Sequence, residues 1–290
     1  MNRRQQLSGF AARAGGGVVG LLPLGWLLFL FAIPLGFVFV YSFAHATFGG
    51  MELGTTLDNY RAGLSGFYLS IFWRTIRFAL MGTALVLLVA IPVAYATARK
   101  SGRFKMILLV ALLIPLWTSF LVRAMSWRTL LSPDGPIEHV LNFLHLHSGT
   151  LQWLDNPPAV FIGIVYVYLP LAVIPLYVAF ERIPQSIIEA GKDLGGGQWK
   201  TFFNVTLPMA RPGLFTACIL TFVPMMGEFV IPALLGGNKG VLYGNLVHDQ
   251  FLLSANYPQG SAMAVLLLVV LGLSITILGR LTRGFSEVPA

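Results

Sequence analysis

A chain of 290 residues that is 56% hydrophobic and 10% charged, with a mean hydropathy of +0.77, lies outside the composition of water-soluble domains, in which about a quarter of residues carry charge. The net charge of +8 does not point to nucleic acid, because the basic residues are split among separate short segments and form no single stripe. The one cysteine, Cys218, can form no intrachain disulfide, so it says nothing about redox compartment.

Crossing a bilayer takes roughly 17 to 25 apolar residues in a helix, and six runs meet that requirement. The first, residues 17–44, follows Arg3, Arg4 and Arg13. Its apolar core is longer than that of a signal peptide and no clean small-x-small site follows it, which predicts a retained helix. The second and third runs are 78–98 and 106–122, the latter bounded by Lys105 and Arg123. The fourth is 158–180. The fifth starts at Pro212 and continues past a single acid, Glu228, to about residue 235, and the sixth is 262–278. The 31 glycines and 17 prolines are many for helices in water but are tolerated in membrane helices.

Lysine and arginine collect on the cytoplasmic side of short loops. A cytoplasmic N-terminus places 13 of the 19 basic residues inside and leaves Arg61, Arg74, Arg77, Arg123, Arg128 and Lys239 outside or near outer helix ends. The expected protein is therefore an all-α integral membrane protein with six transmembrane helices and both termini cytoplasmic. Residues 1–16 and 281–290 form its tails, 17–280 the membrane domain, and 181–211 a long cytoplasmic loop.

The outer loop after the third run holds His139, His145 and His147, but not at the i, i+4 spacing that sets two ligands on one helix face, so no metal site is expected. Asp134 and Glu138 pair there without a pocket, and no Ser/His/Asp arrangement is positioned, which predicts no catalytic residues and no enzyme.

The cytoplasmic loop contains EAGKDLGGGQWKTFFNVTLP, residues 189–208. Its GGGQWKT resembles a phosphate-cradling loop only superficially. Gln198 and Trp199 separate Gly197 from Lys200, and the preceding residues have helical and not strand periodicity. Pro184 suits a first helical turn. Ile183, Ile187, Ala190, Gly191 and Leu194 recur on one helical face, leaving Gln185, Glu189, Lys192 and Asp193 off it. Gly195 stands where a helix C-cap needs positive φ. Trp199, Phe202 and Phe203 begin a second apolar face that Pro208 is expected to end before the fifth span. This pattern predicts a helix–turn–helix on the cytoplasmic side, and by itself fits an amphipathic element at a membrane surface as well.

Glu189, Ala190, Gly191, three residues, Gly195, nine residues, then Val205, Thr206, Leu207 and Pro208 resemble the EAA motif, E-A-A-x3-G-x9-I-x-L-P, of permease subunits of binding-protein-dependent ABC importers. Gly191 stands where the motif has its second alanine. Glycine costs about 1 kcal/mol against alanine inside a helix, which bears on the rigidity of the element and not on docking. The stretches 56–60 (TLDNY), 114–123 (IPLWTSFLVR), 227–232 (GEFVIP) and 235–237 (LGG) are similar to the spermidine/putrescine branch, and related permeases for opines, 2-aminoethylphosphonate and 4-aminobutyrate share them.

The resemblance implies a type I ABC importer permease fold in the bacterial inner membrane. It also implies two ATP-binding subunits that hold ATP and Mg, a second permease subunit, paralogous or identical, and a periplasmic substrate-binding protein. No cofactor is expected on this chain. In that family the loop forms a coupling helix, so Glu189, Ala190, Gly191, Gly195, Leu207 and Pro208 are the expected ATPase-coupling residues.

An acid inside a membrane span is a functional candidate whose partner should be named. Glu228 lies sixteen residues beyond Pro212, about 24 Å up its helix. Its carboxylate has three open readings: a pair with Arg123 that locks an outer gate, direct contact with a substrate ammonium, or a water-exposed rim position. Trp117, Tyr166 and Tyr168 offer cation–π faces to an ammonium or serve as packing and interface anchors. His248 and Asp249 fit either a receptor contact or a solvated outer loop. A secondary transporter or channel driven by an ion gradient is the alternative reading, because broken helices and an intramembrane acid suit it too.

Overall fold

The computed structural model describes residues 23–47, 50–100, 102–145 and 152–283. The tail 1–16 with Arg3, Arg4 and Arg13, the start of the first run at 17–22, His147 and residues 284–290 lie outside the described residues. Among the described residues four helices are long and apolar enough to cross a membrane: α1 (Pro23–Tyr41), α3 (Gly66–Arg99), α7 (Pro157–Glu181) and α14 (Tyr257–Arg283, apolar to Ile277). Two bent pairs raise the number of spans to six when each is counted as one.

The third span is not the straight helix expected over 106–122. It consists of α4 (Gly102–Leu113), a 3-10 turn (Ile114–Trp117) and α5 (Phe120–Leu130), with a 99° bend between the halves. Pro115 causes the break: proline donates no backbone hydrogen bond and its ring disfavours helix at the residue before it. Its own carbonyl accepts from Thr118 N at 3.2 Å and Thr118 Oγ1 at 2.8 Å, which closes the turn. The fifth span is also interrupted. α11 (Arg211–Met226) has 16 residues, about 24 Å, short of the roughly 30 Å of hydrocarbon, and the chain resumes as α12 (Val230–Leu235) after a break at residues 227–229.

The described chain forms two compact units. One comprises residues up to Gly63 together with Gln250–Leu266. Here a short hairpin, β1 (His45–Thr47) and β2 (Gly50–Glu52), follows α1 and leads to α2 (Asp58–Gly63). The TLDNY stretch has a local structural role. Asn59 Nδ2 donates to the carbonyls of Ser42 at 3.0 Å and Ala44 at 2.8 Å, and the Tyr60 hydroxyl lies 2.7 Å from Ser42 Oγ, so α2 fastens the outer end of α1.

The larger unit, Leu64–Asp249 with the chain from Leu267, is built on α3, α7 and α11. Lipid tails are as apolar as leucine, so membrane helices associate through close packing of small residues more than through water exclusion. Accordingly Ala79, Ala90 and Ala94 of α3, Ala172 of α7 and Ala217 of α11 are fully buried. Gly213 brings α11 onto α7 backbone to backbone: a Cβ there would stand 2.7 Å from the Pro175 carbonyl oxygen and overlap Ala179 Cβ. Gly213→Val is therefore expected to lose about 1–3 kcal/mol of stability through overpacking. A lowered thermal unfolding midpoint of the purified chain, with Gly272→Val in the open face of α14 as control, checks it.

Two short helices, α6 (Pro136–Phe143) and α13 (Tyr243–Leu252), occupy the outer connections. The segment carrying His248 and Asp249 is thus helix α13 and not a solvated loop. The His248 ring stacks on Phe229 at 5.0 Å, and its Nδ1 lies 3.1 Å from Asp249 Oδ1.

Candidate functional site

The loop after α7 folds as two helices around the glycine turn. α8 (Gln185–Asp193) takes Pro184 at its N-cap, and Gly195 has φ +82°, a conformation strained for any residue with a Cβ. α9 (Gln198–Thr201) follows, then a π-helical turn (Phe202–Thr206) and α10 (Leu207–Met209). Gly191 faces this second half: a Cβ there would stand 3.0 Å from Thr201 Cγ2 and 3.6 Å from Val205 Cγ2. The glycine in place of alanine thus permits the close approach of α8 to α9.

Ile183 and Ile188 are buried, whereas Ile187, Ala190 and Leu194 are exposed, Leu194 at 90%. One expectation for this loop needs correction: Pro208 does not end the second helix. The Leu207 N–H reaches back five residues to the Phe202 carbonyl, a wide turn that relieves the clash between a proline ring and the preceding turn. The chain bends by 71° only after Met209, where α11 begins.

The loop's polar residues remain outside, with Gln185 Nε2 donating to Glu189 Oε1 at 3.2 Å. Its second half divides its aromatic rings. Trp199 and Phe203 stack at 6.4 Å and are exposed at 78% and 56%, while Phe202 turns inward to Tyr95 of α3 at 5.0 Å and Phe180 of α7 at 6.3 Å. Arg99, at the end of α3, completes the joint. Its guanidinium lies over the Tyr95 ring and donates to the carbonyls of Phe180 at 3.1 Å and Ile183 at 3.3 Å at the C-terminal end of α7, where a cation is favoured. Lys105 Nζ donates to Glu181 beside it. Sequence reasoning missed this joint because its members lie about eighty to a hundred residues apart. The one available signal was the basic cluster, which orientation alone had explained.

In the fifth span, Glu228 is 6% exposed. Its Oε1 accepts from Val230 N at 2.9 Å and Ile231 N at 3.2 Å, and its Oε2 accepts from the Tyr168 hydroxyl at 2.6 Å. The pair with Arg123, one of the three readings, does not form among the described residues. A helix restarting at Val230 presents orphan N–H groups within reach of the nearest acid, and Tyr168 from α7 takes the other oxygen. Arg123, 9% exposed on α5, keeps Nε and Nη1 buried without a hydrogen-bond partner. Of the three candidate rings, Tyr168 alone bonds Glu228. Tyr166, two residues away and so on the opposite side of α7, meets Trp127 edge-to-face at 5.5 Å, and Trp117 is 87% exposed at the break in the third span.

The break around Glu228 is supported from α13, where Asn245 Nδ2 donates to the Phe229 carbonyl at 2.9 Å. It is also backed by α3, whose Thr75 Oγ1 accepts from Tyr243 N at 2.8 Å. A buried acid is thus held at an interruption in a membrane helix by donors from its own chain, about 24 Å from a cytoplasmic element joined to the same helix.

Residues 90–285 match the model of the family described as binding-protein-dependent transport system inner membrane component. The spermidine/putrescine transport system permease protein PotB of Escherichia coli (strain K12) is 32% identical over 263 residues, 90% of this chain and 95% of that protein. PotB of Haemophilus influenzae (strain ATCC 51907 / DSM 11121 / KW20 / Rd) is 32% identical over 259 residues, 89% of this chain and 91% of its own length. Among solved structures, a bacterial ABC transporter involved in the import of the acidic polysaccharide alginate superposes with a TM-score of 0.74 at 18% identity, covering 97% of this chain and 100% of that one.

Proposed function

The chain belongs to the family of binding-protein-dependent transport system inner membrane components, and from that premise we propose that it forms half of the translocation path of an ATP-driven importer for a polyamine or related amino compound. In this reading the chain sits in the bacterial inner membrane with a second permease subunit, paralogous or identical. Two separate ATP-binding subunits hold ATP and Mg, and a periplasmic binding protein delivers the substrate. The observation that carries the ATP-driven reading is the cytoplasmic loop. Ile187, Ala190, Leu194, Trp199 and Phe203 are exposed on a two-helix element whose inner ring, Phe202, is wedged between α3 and α7. An ATPase that grips the outer side chains moves the ends of three membrane helices together.

Glu189, Ala190, Gly191 and Gly195 shape the first half of that element, and Leu207 and Pro208 carry the motion into α11. Gly195→Val places a β-branched residue at φ +82°, which costs about 1–2 kcal/mol, so ATPase retention should fall by about fivefold to thirtyfold. Glu189→Lys reverses an exposed charge and is expected to reduce retention while leaving membrane insertion intact. Co-purification of the ATPase with each variant measures both, and normal recovery from both variants contradicts the coupling assignment.

The PotB relatives support an amine substrate, and the buried Glu228 carboxylate suits a cationic one. Opines, 4-aminobutyrate and 2-aminoethylphosphonate share the amino group with spermidine and putrescine. Uptake of labelled spermidine into proteoliposomes holding the whole complex should be competed by putrescine more strongly than by 4-aminobutyrate. The reverse order would move the assignment to the amino acid side of this group.

A further inference from the structure

α3 is 34 residues long, about 51 Å, and so overruns a hydrocarbon core of about 30 Å. With Arg99 fixed at its cytoplasmic end, Arg77 lies about 33 Å and Arg74 about 38 Å along the helix. With the hydrocarbon taken to begin at Arg99, Arg77 and Arg74 stand about 3 Å and 8 Å past its outer edge, at the level of the outer headgroups, a layer of roughly 5–7 Å. Trp73 beside them is 56% exposed, as suits an interfacial anchor. Arg74, Arg77, Phe78 and Met81 follow i, i+3, i+4, i+7 spacing, a single helical face separate from the buried stripe of Ile71, Thr75 and Ala79.

This face lines a cleft of about 340 Å³ together with Val160 and Phe161 at the outer end of α7. The Phe78 and Phe161 rings pair at 4.9 Å, and Met81 extends the apolar wall towards the hydrocarbon. Neither arginine has an ion-pair partner among the described residues, and Arg74 Nε is buried without an acceptor. The cleft thus has two cations at phosphate depth and an apolar lower part at acyl depth. A soluble anion would use the first and not the second. A docked water-soluble protein would not reach below the headgroups.

We propose that this cleft is a binding site for an anionic phospholipid of the outer leaflet, its phosphate held by Arg74 and Arg77 and one acyl chain lying against Phe78, Met81 and Phe161. The ligand fills the angle between the outer ends of α3 and α7.

The test uses the complete complex extracted in neutral detergent, with bound phosphatidylglycerol measured by mass spectrometry and by titration after delipidation. A charge near an anionic lipid surface is worth about a factor of five, so Arg74→Gln with Arg77→Gln should weaken phosphatidylglycerol binding by about thirtyfold. Met81→Trp, which keeps both arginines but fills the acyl part, should also lower binding. Phosphatidylcholine should bind more weakly than phosphatidylglycerol, and inorganic phosphate should not compete. Unchanged lipid binding in both variants overturns the proposal. So does equal competition by inorganic phosphate, which marks a free-anion site, or loss of the second permease from the double variant with lipid content unchanged, which marks a protein contact. An unfolding midpoint equal to that of the parent complex in lipid-free detergent shows that the variants are folded.

Discussion

A complex carrying Trp199→Ala is expected to bind its ATPase about thirtyfold more weakly, the effect of losing roughly 2 kcal/mol at a central aromatic anchor of an interface. Trp199 is 78% exposed on this chain, stacked on Phe203, and makes none of the inward contacts that hold the loop to α3 and α7. Truncating it therefore removes docking surface and leaves the joint of Tyr95, Phe180 and Phe202 in place. Leu194→Asp, at a position 90% exposed, should have a similar effect by placing a charge in the apolar contact. Phe202→Ala should behave differently: ATPase binding should be largely kept while ATP hydrolysis loses its response to the loaded receptor, because the wedge between loop and helices is gone. Titration of fluorescent ATPase onto membrane complexes measures the first two variants, and receptor-stimulated hydrolysis measures the third. Equal ATPase affinity for the parent and Trp199→Ala would show that this surface is not the docking face.

Glu228→Ala should be the most destabilising single change in the fifth span. It leaves the N–H groups of Val230 and Ile231 and the hydroxyl of Tyr168 without their acceptor, each at about 1–3 kcal/mol when buried. The complex is expected to be recovered in low yield. Glu228→Gln keeps an acceptor for both backbone groups but removes the charge, so assembly should persist while uptake of a cationic substrate falls. Tyr168→Phe removes one of the three hydrogen bonds and should cost less than Glu228→Ala. Equal yields and equal uptake for the alanine and glutamine variants would contradict both the capping role and the role of the charge.

Much of the architecture was legible because membrane spans are written in long apolar runs. Residues 158–180 differ from α7 by one residue at each end, and Gly195 stands at the positive φ its place after a helical face had called for. The interruptions were harder. Pro115 and the stretch 227–229 lie inside apolar runs, and hydropathy does not distinguish a continuous helix from two halves joined by a turn. The local donors to Glu228 were named by none of its three readings. Arg123 is the obvious opposite charge, but Val230 and Ile231 lie two and three residues away, and a restarting helix needs an acceptor there first.

Reconstituted transport tests the central claim most directly. Proteoliposomes containing this chain, its second permease, the ATPase and a loaded receptor are energised either with ATP or with an imposed ion gradient. The importer account predicts uptake that requires ATP and persists when ionophores collapse every gradient, and that is lost when the ATPase is omitted. Uptake that proceeds without ATP and stops when the gradient is dissipated would contradict it, and would make the chain part of a gradient-driven carrier.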